Sequence, residues 1–505
     1  MAAVHDYLLG RKERLWVALI ASPLTLHLQC FYLRSQIPLV LAPAYIVFGY
    51  NQSGPGGLVN FPSWVKQFPE IDTVNTTGAQ NSHNSTVQGA VVACFSLGAL
   101  FGSLACTWIG NRLGRRRTIF LGACVCFIGQ TLECTAYSLA HFVVGRVVLG
   151  FGIGILSATV PVWLSECCPP EKRGRNVVLV GMFIALGFAT TQWVNFGFYH
   201  IQDSAASWRG SLTIPFLFIF LILATIFSLP ESPRWLVLTN QSNSAREALA
   251  TIRGSDIDSP EIIAEIADIE LALEDHGNLA LKDLFTMTDE KLFYRFMLCF
   301  VLQFFQQMTG GTLISVYTSI IFEDNLNLGA SLSKILAACA LTWKFLSCFV
   351  AFWAIDRLGR RVALMISGGG MAACMVAMAV STYFSAETHD ASIVMAFFVF
   401  LYNFFLSVGL RVAMQAISTA NQWLWQFVVA MITPVAFTSI GWRYYIVYAV
   451  ISAIIVPSIY IFYPETMGRN LEELDEIFRE AGSVFEVVRW SKMLPRWGVG
   501  RALEM

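Results

Sequence analysis

Arg112-Leu113-Gly114-Arg115-Arg116 is repeated, letter for letter, at Arg357-Leu358-Gly359-Arg360-Arg361, and each copy stands between two long apolar runs. A polar residue precedes each, Asn111 in the first and Asp356 in the second. Three arginines around a glycine cannot lie in hydrocarbon, so each copy is a tight loop at a membrane face. Glycine permits the turn, and the arginines direct the loop to the cytoplasmic side. A repeat spaced by half the chain divides it into two similar bundles, each with this loop between its second and third helices. The competing explanation, two basic loops matching by chance, is the standing risk of any short motif.

A bilayer is the first partner that the composition implies. Of 505 residues, 56% are hydrophobic and 13% charged, where soluble domains carry about 25% charged residues. The net charge of −1, with Lys and Arg dispersed among short loops, argues against a nucleic-acid partner. Many of the 12 cysteines lie inside apolar runs, as at Cys124, Cys126, Cys134, Cys299, Cys339 and Cys348, and read as small packing residues. With no metal spacing, nucleotide loop or nucleophile–base pair, neither a cofactor nor an enzyme activity is expected.

Residues 1–36 form a basic, cytoplasmic N-terminus (Arg11, Lys12, Arg14) plus an extra apolar segment at 15–33, closed by Arg34-Ser35-Gln36. Counting that segment as a membrane helix would put the first arginine loop outside, so helix 1 is placed at 37–59. A polar outer loop, 60–86, follows, with N-x-S/T acceptors for glycosylation at Asn75 and Asn84. Apolar runs at about 87–109, 118–138, 141–163, 176–198 and 208–229 complete an N-terminal six-helix bundle over 37–229. Residues 230–292 make a polar cytoplasmic linker with helical spacing at Ile262, Ile263, Ile266, Ile269 and Leu273. Runs at about 293–322, 331–355, 362–384, 392–410, 412–437 and 441–463 make the C-terminal six-helix bundle, 293–463, and a cytoplasmic tail occupies 464–505.

Several motifs stand in order along the chain: Gly145-Arg146 with Gly150, Gly152 and Gly154; Pro230-Glu231-Ser232-Pro233-Arg234; Gln306-Gln307 leading to Tyr317; and Tyr463-Pro464-Glu465. Together with the two arginine loops, they resemble the sugar porter branch of the major facilitator superfamily, in its fungal hexose pattern. The resemblance implies an all-α polytopic protein of about twelve membrane helices in two six-helix bundles, in the plasma membrane. It also implies a central sugar site and rocking between inward-open and outward-open states.

The residues fit that expectation in three groups. Arg112, Arg115, Arg116, Arg173, Arg234, Arg357, Arg360 and Arg361 stand near cytoplasmic helix ends with Glu166, Glu231, Asp356 and Glu465. Ion pairs among them are expected to hold the bundles shut on the inside, unless they only orient helices. Gln306 and Gln307 are adjacent amides in an apolar span, and with Tyr317, Trp423 and Gln426 they compose a hexose site, or else glue helices together. Thr312 stands at the family's helix 7 asparagine position, Lys344 at its helix 8 position, Gly181 at its helix 5 glutamine, and Gln422 before Trp423 where asparagine is usual. In the third group, proton-driven relatives read Phe-Gly-Tyr-Asp in helix 1, where this chain reads Phe48-Gly49-Tyr50-Asn51. An amide cannot exchange protons, so the usual coupling to Arg146 is silent and facilitated diffusion is the simplest expectation. Against it stands Glu133, a carboxylate within an apolar span that can substitute and make protons a partner.

The largest departure is in helix 10. Ser407-Val408-Gly409 joins directly to Leu410-Arg411-Val412, and the family's Gly/Pro-broken stretch is missing, leaving a span barely long enough to cross. Wrongly assigned exon boundaries in the gene or an inactive paralogue would explain this. A non-transporting sugar sensor is the alternative function, disfavoured by the short tail.

Overall fold

The computed structural model describes residues 40–59, 61–168, 173–201, 204–276, 291–326, 329–384, 389–409, 419–465, 477–483 and 485–493. The apolar segment expected at 15–33 and the junction after Gly409 lie outside them. Twelve long helices follow one another without a strand among the described residues. The first six are α1 (40–58), α2 (Gly78–Leu113), α3 (Arg115–Cys134), α4 (Leu139–Cys167), α5 (Arg173–Tyr199) and α6 (Ala206–Ser228). The second six are α7 (Leu292–Val316), α8 (Ala330–Leu358), α9 (Arg360–Phe384), α10 (His389–Val408), α11 (Thr419–Ser439) and α12 (Arg443–Phe462). Among the described residues, ten helices are long and apolar enough to cross a membrane; α1 and α11 complete the twelve.

The repeated loops have a common construction. Gly114 (φ 84°) and Gly359 (φ 82°) hold a backbone conformation that side chains with a Cβ rarely adopt, and each turns one helix straight into the next. The turn leaves the first N–H groups of α3 and α9 without helical partners. Glu231 accepts from Arg115 N at 2.9 Å and from Arg116 N at 3.2 Å, and Glu465 accepts from Arg360 N and Arg361 N, both at 3.1 Å. Carboxylates from just beyond the sixth and twelfth helices thus cap the third and ninth, where the helix dipole favours negative charge.

Within the first bundle α4 packs against both α2 and α3, and glycine makes this close. A Cβ on Gly150 would lie 2.1 Å from the Phe95 carbonyl oxygen, and one on Gly154 2.2 Å from that of Ala99. Small residues at such crossings let backbones touch where lipid supplies no hydrophobic drive. In the second bundle α9 packs on α10 and α12. The bundles meet along α2–α11 and α5–α8. α7 is broken: its helix widens at Gln307–Gly311, with Gly310 at φ 94°, before resuming at Thr312. Short helices Pro233–Leu238, Ser242–Arg253 and Pro260–His276 form the linker, buried through Leu236, Val237, Leu249, Ile262 and Ile266, whereas Ile263 faces out.

Two expectations change. The segment 60–86 is not all loop, because α2 begins at Gly78 and takes Asn84 into its first turns. α10 is a 20-residue helix, as long as α3 and α12, so the retained part of helix 10 is a full span.

Candidate functional site

Broken α7 puts its two amides into the space between the bundles. Gln306 and Gln307 are both buried, and with Gly311 and Thr312 they line a cavity of about 30 Å³. Facing them are Phe48 and Gln52 from α1, Ile184 from α5, Leu406 from α10 and Gln422 from α11. Thr312 Oγ1 donates to Gln307 Oε1 at 2.6 Å, which fixes that amide. The Gln306 Oε1 atom is buried with no donor among the described residues. Buried amide oxygens are rarely left so, and in a residue that lines a polar cavity such an oxygen is an acceptor available to a hydroxyl. Four glutamines and a threonine around one space offer paired donors and acceptors, the chemistry that vicinal hydroxyls need.

The other expected contacts fall elsewhere. Trp423 is fully buried behind Phe48, ring centroids 4.8 Å apart, and donates its indole N–H to Ser157 Oγ at 3.3 Å, so it supports the pocket wall. Gln426, one turn further along α11, is buried away from the cavity lining. Tyr317 donates to the Ala430 carbonyl oxygen at 3.2 Å and lines a second space, of about 300 Å³, at the end opposite the arginine loops. Lys344 is fully buried; it donates to Ser315 Oγ and its Nζ lies 5.0 Å from the Phe188 ring, bridging α8 to α5 rather than lining the cavity. Gln52 lines the cavity without any motif to mark it, standing beside Asn51 at the helix 1 coupling position. The polar pair at that position in an apolar run was the available signal.

At the end opposite the arginine loops the bundles touch. A Cβ on Gly56 of α1 would lie 2.2 Å from the Val316 carbonyl oxygen of α7. Ser53 Oγ donates to the Ser315 carbonyl oxygen at 3.0 Å, and Ser319 Oγ to Gln192 Oε1 at 3.2 Å. The Lys334 ammonium, buried at the start of α8, lies 4.4 Å from the Tyr199 ring of the first bundle and 4.0 Å from Glu323.

The charged residues at the arginine-loop end make the following contacts within bundles. Arg115 makes a two-point pair with Glu166, 2.9 Å on both contacts, joining α3 to α4. Arg116 donates to the Phe227 carbonyl oxygen at 2.6 Å and Arg361 to that of Tyr460 at 2.5 Å. Arg112 stacks on Trp108 and Arg357 on Trp353, while Arg234 is exposed. The side chains of Arg173 and Asp356 lie outside the described residues. Glu231 and Glu465 are among the carboxylates expected to form inter-helix ion pairs with the loop arginines. Both carboxylates bond backbone N–H groups of their own bundle, the orphan donors that the glycine turns present.

The third group is the most compact. Arg146 Nη1 donates to the backbone carbonyl oxygen of Asn51 at 3.1 Å and Nη2 to that of Val92 at 3.5 Å, and its Nη1 lies 3.7 Å from Glu133 Oε1. The Asn51 side chain turns back to the Val47 carbonyl oxygen. Gly145 makes the room: a Cβ there would lie 3.0 Å from Glu133 Cγ. Of the two sequon residues, Asn75 is exposed, whereas Asn84 is buried and donates to the Asp72 carbonyl oxygen at 2.7 Å.

Residues 38–478 match the family model described as "Sugar (and other) transporter". Sugar transporter STL1 of Saccharomyces cerevisiae is 31% identical over 469 residues, spanning 89% of this chain and 82% of that protein. High-affinity glucose transporter 1 of Candida albicans is 28% identical over 495 residues, spanning 90% and 87%. Among solved structures, the proton:xylose symporter XylE bound to 6-bromo-6-deoxy-D-glucose superposes with a TM-score of 0.74 at 21% identity, covering 88% of this chain and 99% of that one. That likeness establishes the fold.

Proposed function

This chain belongs to the sugar (and other) transporter family, and we propose that it carries a monosaccharide or closely related polyol across the plasma membrane by alternating access. The observation that carries this reading is the amide cluster of Gln52, Gln306, Gln307 and Gln422 with Thr312 at the junction of the two bundles. Sugar is the cargo, and protons are the candidate coupling ion. A cavity of about 150 Å³ is what benzene needs, so a space of about 30 Å³ admits a hexose only after the bundles part. The break at Gly310 gives α7 the freedom to lead that movement, as discontinuous helices do in other carriers.

Both termini face the cytoplasm in this reading, which places the arginine loops inside and Asn75 outside. Both relatives named above are called transporters, and neither supports an enzymatic role. The test is uptake of labelled hexoses and polyols by cells lacking their own hexose carriers and expressing this chain at the surface. Uptake that saturates and is inhibited by unlabelled sugar is expected; surface protein with no uptake of any of them would overturn the proposal.

A further inference from the structure

We propose that Glu133 is the proton-binding site of this carrier, and that Arg146 passes its charge state to both the sugar cavity and the outer seal. This rests on the transport reading above and adds the ion, its site and its route of action.

The geometry is a hub. One guanidinium touches three helices: Glu133 on α3, the Asn51 carbonyl oxygen on α1 and the Val92 carbonyl oxygen on α2. The residue after Asn51 is Gln52, which lines the sugar cavity. Val92 belongs to an apolar plug with Ala93, Val316, Tyr317 and Ala430, where α2, α7 and α11 of the two bundles meet. Above that plug lies the space of about 300 Å³ lined by Asn81, Ser85, Gln88, Tyr317 and Glu323, in which Gln88 is one helical turn from Val92. The Arg146 side chain therefore contacts the helix that feels the sugar and the helix that closes the outer entrance.

Arginine keeps its proton at every working pH, so the titrating member of the pair is the carboxylate. Both Glu133 oxygens are buried without a hydrogen-bond donor among the described residues, so the ionised form is held by the 3.7 Å charge contact alone. A proton taken from water on the outer side neutralises that carboxylate, and the cationic guanidinium then has the two carbonyl oxygens and the Phe95 ring, 4.5 Å from it, to lean on. Loss of the proton to water on the inner side draws Arg146 back to Glu133. No bond other than O–H is made or broken. Among the described residues the surrounding groups leave Glu133 the only carboxylate there: Cys94 from α2, Cys134 on α3 and Tyr50 from α1, with ordinary pKa values above the working range, and Arg209 at the start of α6, which donates to the Ala136 carbonyl oxygen and lies over the Tyr137 and Trp208 rings. The helix 1 carboxylate used by proton-driven relatives is absent, yet the charge opposite the arginine is restored from α3.

The experiment uses the purified full chain in vesicles loaded with a pH-sensitive dye, with D-glucose and sorbitol as probes. Labelled-sugar counterflow reports transport alone, and inward proton movement triggered by external sugar reports coupling. Wild-type protein should show both. Counterflow without proton movement would overturn this inference and leave the transport reading intact, whereas absence of counterflow would sink the transport reading itself. Glu133→Gln should abolish the proton movement while counterflow stays measurable; persistent proton movement overturns the assignment. Should Glu133→Gln fail to assemble, Glu133→Asp serves instead: it should shift the pH optimum of proton movement, and an unshifted profile counts against the site.

Discussion

Helices α4 and α7 both carry glycines near their centres and use them in opposite ways. In α4, Gly150 and Gly154 sit in regular helix and bring a neighbouring backbone within carbonyl contact, which locks α2 to α4. In α7, Gly310 leaves the helical region altogether and opens a wide turn beside Gln306 and Gln307. The first half is thereby a fixed frame, and it holds the ion pair whose geometry must be kept. The second half supplies the deformable element, and it holds four of the five polar groups that line the cavity between the bundles. The same residue stiffens one bundle and loosens the other, according to whether its missing Cβ is spent on contact or on conformation.

Gly154→Leu attacks the frame directly and carries the largest expected effect. The added side chain meets the Ala99 backbone, which cannot yield as a side-chain tip can, so the cost exceeds about 3 kcal/mol. Surface expression should collapse, as read by fluorescence-detected gel filtration; a monodisperse Gly154→Leu protein would dissolve the contrast. Gly310→Ala probes the other half. A Cβ at φ 94° costs about 1–2 kcal/mol and meets Met375 Cε at 2.5 Å, a flexible neighbour, so the protein should assemble but turn over slowly. Equal loss of expression in the two variants would show that both glycines serve packing.

Gln306→Ala tests the cargo contacts. One hydrogen bond is worth about 0.5–1.5 kcal/mol, so KM for sugar uptake should rise several-fold with expression unchanged. An unaltered KM would remove this amide from the site. The smallest effect belongs to the segment before α2: if it faces outward as proposed, Asn75→Gln should abolish the glycosidase-sensitive band shift and Asn84→Gln should not, because only Asn75 is exposed, and uptake should be unchanged by the former. A shift that depends on Asn84 would place that asparagine outside the fold described here.

The all-helical membrane fold and the half-chain repeat were legible because lipid imposes length and apolarity on every span, and because arginines cannot enter it. Gln306 and Gln307 stood out for the same reason, as amides where hydrocarbon is the default, and both line the cavity. What escaped depends on rotation about a helix axis, which a uniformly apolar helix does not encode. Tyr317 and Trp423 are each spaced plausibly for the cavity, yet their polar atoms bond Ala430 and Ser157. Asn84 read as loop because its neighbours are polar, although α2 extends beyond the apolar run and buries it. The backbone contacts of Glu231 and Glu465 were hidden for a different cause: charge suggests charged partners, while the backbone of a helix start is an equally good one.

Those two carboxylates have a consequence for how the chain is made. Glu231 lies 116 residues after the Arg115 amide it caps, and Glu465 lies 105 residues after that of Arg360. During synthesis from the N-terminus, the start of α3 stays unsatisfied until α6 has been threaded and the residues just beyond it have emerged. The start of α9 waits in the same way for the end of α12. Each bundle is therefore fastened by its last-made segment, and an incomplete half keeps an open helix end that a finished one does not.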